Sequence, residues 1–139
     1  MVHHPLMRRL FLILTIFWAA LIYYLSDQPR IDIPSLFPQQ DKAMHLIAYG
    51  VLGFLAMGAC KAGRCRHRAT HYWLVVSLVG LYGVLDEIHQ YFVPGRQSDV
   101  LDVLADVSGG LLGAGVMFLL LRRYAPPAEP DEQPQGLDY

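Results

Sequence analysis

Residues Leu85–Gly113 read LDEIHQYFVPGRQSDVLDVLADVSGGLLG. This stretch holds Asp86, Glu87, His89, Gln90, Arg96, Asp99, Asp102 and Asp106, and apolar sequence flanks it on both sides. YWLVVSLVGLYGVL (residues 72–85) precedes the acids and GGLLGAGVMFLLL (residues 109–121) follows them. Five carboxylates with a single Arg at the edge of an apolar phase are costly to maintain, and such a cost marks a working site. Within the stretch, Pro94-Gly95 breaks a helix and divides it into the end of one apolar run and the start of the next.

Working outward, the chain of 139 residues is long enough for one compact unit. Hydrophobic residues make up 54% and charged residues 17%, and the mean hydropathy is +0.31, which is too apolar for an ordinary soluble domain. The net charge of −1 points away from a nucleic-acid partner. Four apolar runs emerge, predicting helices at about residues 8–25, 42–60, 72–92 and 98–121. The first, LFLILTIFWAALIYYL (residues 10–25), carries no charge. It reads as a membrane anchor and not as a cleaved signal, because Tyr23, Tyr24 and Leu25 stand where a cleavage site needs small residues. The fold class expected is therefore an all-α, integral-membrane four-helix bundle over residues 1–124, followed by a disordered cytoplasmic tail at 125–139 with four prolines.

Positive charge orients the bundle. Arg8/Arg9, the KAGRCRHR block at residues 61–68 and Arg122/Arg123 fall at alternate ends of successive runs. Placing all three in the cytoplasm satisfies the positive-inside rule, which puts both termini inside. The acidic ends of the second, third and fourth helices then share the outer leaflet, so residues distant in sequence are expected to pool there. Asp41, His45 and Tyr49 follow one another at i, i+4, i+8, and Asp102 and Asp106 at i, i+4, so each set faces one way. Asp106 is expected roughly 10 Å below the start of its helix, pointing into the bundle.

Acids this close repel unless one is protonated, pairs with Arg96 or Lys42, or meets a divalent cation. Glu87, Asp99, Asp102 and Asp106 are candidate metal ligands, with Gln90 and His45 beside them. Oxygen donors favour Mg²⁺, Ca²⁺ or Mn²⁺, and the imidazole keeps Zn²⁺ open. The Arg96 guanidinium suits a phosphate or carboxylate at the interface, or alternatively neutralises Glu87 or Asp99. Tyr49 and His45 read either as acid/base partners of Glu87 or as a hydrogen-bonded pair inside the bundle. Cys60, Cys65, His67 and His71 have zinc-ligand types, but the positive charge of their loop opposes a dication. Both cysteines fall on the reducing side, where a disulfide is not expected. Gly109/Gly113, Gly110/Ala114, Gly50/Gly53 and Gly80/Gly83 supply small faces for close helix packing in lipid.

DKAMHLIAYGVLGF (residues 41–54) and DEIHQYFVPGRQSDVLDVLADVSGGLLG (residues 86–113) resemble the two signature blocks of the VanZ-like family. The resemblance spans all four expected helices, and Asp106 departs from it, standing where the family usually has Asn. It implies a small multi-pass protein of the bacterial inner membrane. The member that gives the family its name is linked to low-level resistance to the glycopeptide teicoplanin. Two function classes follow. The first is an envelope protein that binds or handles an anionic or lipid-linked ligand, or a glycopeptide-like one, through Arg96, Lys42, Asp41, Gln90, Asp99 and Asp106. The second is a membrane-embedded enzyme, with or without a divalent metal, that acts on a lipid-linked or phosphate-bearing substrate through Glu87, Asp102, His45 and Tyr49. A proton or cation path lined by Glu87, Asp102 and Asp106 is a third possibility. The lipid bilayer is the partner common to all three.

Overall fold

The structure is a computed structural model that describes residues 5–29, 36–60 and 68–123. It contains four helices, α1 (Pro5–Ser26), α2 (Gln40–Ala59), α3 (Arg68–Tyr91) and α4 (Val100–Arg123). The expected tail at 125–139 lies outside the described residues, as do Cys65 and His67.

Local chemistry sets the helix ends. Pro5 opens α1, where its missing N–H is no loss and its fixed φ suits the first turn. Asp41 lies in the first turn of α2, and Arg122 and Arg123 in the last turn of α4. Each therefore carries the charge that complements its end of the helix dipole. Asp99 caps α4: its Oδ1 accepts a hydrogen bond from the Leu101 N–H at 2.9 Å, satisfying one of the orphan amides of the first turn. Between α3 and α4 the Arg96 N–H donates to the Val93 carbonyl at 3.1 Å, and Gly95 has φ 79°. Pro at the second turn position and a positive-φ Gly at the third define a type II turn, which ends α3 where the sequence predicts a break.

Successive helices run antiparallel, so α2 and α4 point the same way, as do α1 and α3. Arg8 at the start of α1 donates to the Ala59 carbonyl at the end of α2, and midway along the pair Trp18 Nε1 donates to the Ala48 carbonyl at 2.8 Å. Tyr82 of α3 donates to the Ala19 carbonyl of α1 at 2.7 Å. The most extensive interface is α2 against α4. Its cause is glycine: a Cβ on Gly109 would collide with the Leu46 carbonyl oxygen, and one on Gly113 with that of Gly50. With no side chain at either position, backbone packs on backbone, the contact that drives helix association where lipid removes the hydrophobic incentive. Tyr49, Leu52, Met57, Val75, Val79, Ala114 and Met117 fill the space between α2, α3 and α4.

Three of the helices, α1, α2 and α4, are long and apolar enough to cross a membrane. At ~1.5 Å per residue, the 22 residues of α1 extend about 33 Å, matching a hydrocarbon core of ~30 Å. The expectation of four such spans is met by three on this measure. α3 has the length at 24 residues, but polar residues at both ends, Arg68 and His71 at one and Asp86 to Gln90 at the other, lower its apolarity.

Candidate functional site

The acidic residues gather where α2 and α4 begin and α3 ends, in two linked layers. The outer layer centres on Lys42, two residues inside the start of α2 and next to Asp41. Its Nζ donates to Asp99 Oδ2 at 2.6 Å, to Asp102 Oδ1 at 3.0 Å and more distantly to Asp41 Oδ2 at 3.5 Å. These bonds tie the first turn of α2 to that of α4. The ammonium and the Leu101 N–H hold the Asp99 carboxyl below the usual carboxylate range, the ammonium contributing most. Glu87 joins the layers, since its Oε2 accepts a hydrogen bond from the Asp99 N–H at 3.0 Å.

The inner layer lies one turn deeper. His45 follows Asp41 by four residues and Asp106 follows Asp102 by four, so both turn inward beneath the Lys42 cluster. His45 Nδ1 and Asp106 Oδ1 are 2.9 Å apart, and His45 Nε2 lies 4.0 Å from Glu87 Oε1. Asp106 is fully buried and Glu87 is 2% exposed. Gly83 makes the depth possible, because a Cβ there would lie 2.8 Å from the Asp106 side chain. Tyr49 continues the same face of α2, its ring nearly parallel to that of His45 (6°, centroids 6.4 Å apart) and 6.0 Å from Tyr82.

Among the described residues, Glu87 Oε1 and Asp106 Oδ2 are buried side-chain oxygens with no hydrogen-bond partner. Burying an acceptor without a partner costs about 1–3 kcal/mol, and more for a charged group. Yet one donor atom from each of His45, Glu87 and Asp106 lies within 4.8 Å of the other two. Tyr49 Oη and Asp86 Oδ1 are likewise buried without a partner among the described residues, and of the four Glu87 Oε1 is the one seen to face the imidazole, 4.0 Å from His45 Nε2.

Not every expected site residue joins this group. Asp99, Asp102 and Asp41 are drawn to Lys42, and Tyr49 lies one turn below the inner layer. Gln90 turns toward α1, where its Nε2 donates to Asp86 Oδ2 at 3.0 Å and to Ser26 Oγ at 3.3 Å. Arg96 contacts neither Glu87 nor Asp99. It donates to the carbonyls of Leu25 (2.7 Å) and Gln28 (3.1 Å), closing the C-terminal end of α1. His89 pairs with Asp27 at 3.1 Å on the exposed side. The sequence reading missed the buried Ser26–Asp86–Gln90 cluster, in which Ser26 Oγ donates to Asp86 Oδ2 at 2.9 Å. The i, i+4 spacing of Asp86 and Gln90 on one helix face was the available signal.

The described residues are helical, and three apolar helices of membrane-span length with a His–carboxylate group at one end of the bundle fit a small membrane protein. The chain belongs to the VanZ/LLP1 family, whose model matches residues 11–122 and so takes in nearly all of α1 to α4. No curated protein and no solved structure matches it.

Proposed function

We propose that this VanZ-like chain crosses the bacterial cytoplasmic membrane four times with both termini inside. Its acidic end then handles a lipid-linked or anionic envelope ligand in the outer leaflet, and by family its activity lowers susceptibility to glycopeptides such as teicoplanin. Arg8, Arg9, Arg122 and Arg123 at the opposite end support this orientation. The surface of α3 supports a fourth span: Trp73, Leu74, Leu78, Leu81, Leu85 and Ile88 are all more than half exposed, as a helix facing lipid requires.

The observation that carries the ligand reading is the pair of unpartnered buried oxygens on Glu87 and Asp106 beside His45, inside a rim of exposed apolar side chains. Met44, Ile47, Tyr91, Phe92, Val100 and Leu104 all lie outward around that end. Polar groups within and an apolar, partly aromatic collar outside suit a molecule with a polar head and a lipid tail. Lys42, with 18% of its side chain exposed, is the cation such a head group meets first. The same geometry favours the enzyme reading as the alternative: a carboxylate–imidazole pair next to a second carboxylate is the equipment of general acid–base catalysis. A path for protons or cations gains less support, because Met57, Val79, Ala114 and Met117 close the bundle below Tyr49 with apolar packing.

The test is expression in a glycopeptide-sensitive Gram-positive host. The wild-type chain should raise the inhibitory concentration of teicoplanin, and Glu87→Gln should abolish the effect at equal abundance in the membrane fraction. A wild-type chain that is present in the membrane and leaves teicoplanin susceptibility unchanged removes the resistance link.

A further inference from the structure

We infer that His45, Glu87 and Asp106 bind one divalent transition-metal ion of the Mn²⁺ to Zn²⁺ range. The donors come from three different helices, α2, α3 and α4, and converge to within 4.8 Å of one another. Three further observations carry the inference beyond proximity. Glu87 and Asp106 are buried almost completely, and each keeps one oxygen without a hydrogen-bond partner among the described residues. Asp106 Oδ1 lies 2.9 Å from His45 Nδ1 and so orients the ring, leaving Nε2 turned toward Glu87 Oε1. Asp106 Oδ1 thus orients the imidazole as carboxylates commonly do beside a metal-bound histidine, and its other oxygen, Oδ2, is the one left to meet the ion. Nε2 and Oε1 stand 4.0 Å apart, and an ion with bonds of about 2.0–2.2 Å to each would draw them together by about half an ångström in tetrahedral geometry.

The donor set chooses the ion. One imidazole nitrogen with carboxylate oxygens suits Mn²⁺ or Zn²⁺, whereas Mg²⁺ keeps its waters and prefers oxygen alone. Charge favours occupancy as well: a dication offsets Glu87 and Asp106, while Lys42 is already matched by Asp99 and Asp102. The outer acids, with Asp41 and Asp99 about half exposed, concentrate cations at the mouth of the site. The inference does not depend on the envelope ligand proposed above, since the ion alone is the probe.

The experiment titrates Mn²⁺ into detergent-solubilised, chelator-treated full-length protein without a histidine tag and follows the loss of the free-ion signal by electron paramagnetic resonance. Mn²⁺ is chosen because thiolates bind it poorly, so Cys60 and Cys65 contribute little. One equivalent should bind the wild type. The near-isosteric changes Glu87→Gln and Asp106→Asn should each weaken binding about tenfold or more. Asp27→Asn, which alters the exposed pair with His89 away from the triangle, should leave it nearly unchanged. Zn²⁺ should displace the bound Mn²⁺. If Asp106→Asn fails to fold, Glu87→Gln and the wild-type stoichiometry still decide. A wild type that binds no stoichiometric Mn²⁺ and is not saturated by Zn²⁺ overturns the inference, leaving an imidazolium between two carboxylates. Undiminished binding in Glu87→Gln overturns it equally.

Discussion

Replacing Gly113 by Ala adds a single methyl group, and the structure sets that methyl against the backbone of the neighbouring helix. A Cβ at Gly113 would overlap the Gly50 carbonyl oxygen and lie 2.7 Å from its carbon and 3.1 Å from its Cα. Carbon atoms pack at about 3.5–4.0 Å, so α2 and α4 must separate by roughly 1 Å, and a gap of that size forfeits a quarter to a half of the dispersion energy across it. Gly115, two residues along the same helix, supplies the control. A Cβ there meets nothing closer than the Tyr72 hydroxyl at 3.7 Å, an ordinary contact. Both substitutions gain the same helix propensity, up to about 1 kcal/mol. Their difference therefore isolates the interhelical clash, which by comparison with overpacked cores is about 1–3 kcal/mol. Gly115→Ala should be neutral or more stable than wild type, and Gly113→Ala less stable than Gly115→Ala by that margin. The assay is equilibrium unfolding in one detergent with increasing SDS, followed by tryptophan fluorescence, since Trp18 joins α1 to α2 at Ala48. If the two variants unfold together within about 0.5 kcal/mol, the close α2–α4 contact is not what holds the bundle.

Other outcomes follow from single contacts. Arg96→Ala removes two charge-assisted hydrogen bonds to the end of α1 and should lower detergent stability by about 1–2 kcal/mol, with Mn²⁺ binding unchanged; an unaltered unfolding midpoint would count against the Leu25 and Gln28 contacts. Because the folded-state pKa of Asp99 lies below its unfolded value, its stabilising contribution is present above about pH 4 and is lost as pH falls through the folded value. Asp99→Asn should therefore flatten the acid limb of the unfolding midpoint plotted against pH and leave its relative change above pH 5 constant. Ser98, exposed in the α3–α4 turn, should react as Ser98→Cys with a membrane-impermeant maleimide added to the outside of intact cells or spheroplasts. Labelling only after permeabilisation would invert the proposed orientation.

The helices were legible in the sequence because each states itself locally. The uncharged run at Leu10–Leu25, the Pro94-Gly95 break and the terminal Arg122/Arg123 need no partner to be read, and the helices end within a few residues of where these signals predict. The small-residue spacings also showed, in advance, which faces could approach. α3 was less plain, since its acids and its membrane-like face share one helix, and composition averages the two. The i, i+4 spacings likewise showed that His45 and Tyr49, or Asp102 and Asp106, share a face.

Which acid meets which base was decided only by the tertiary structure. Lys42 takes Asp99 and Asp102, His45 takes Asp106 with Glu87 beside it, and Arg96 goes to the carbonyls of α1 although acids stand closer to it in sequence. Sequence spacing gives the direction of a side chain relative to its own helix. It does not give the rotation of that helix against its neighbours. Here the rotation is set by Gly109 and Gly113 seating on Leu46 and Gly50, which brings the inward faces of α2 and α4 together at a fixed register, and with them the histidine and the buried acid.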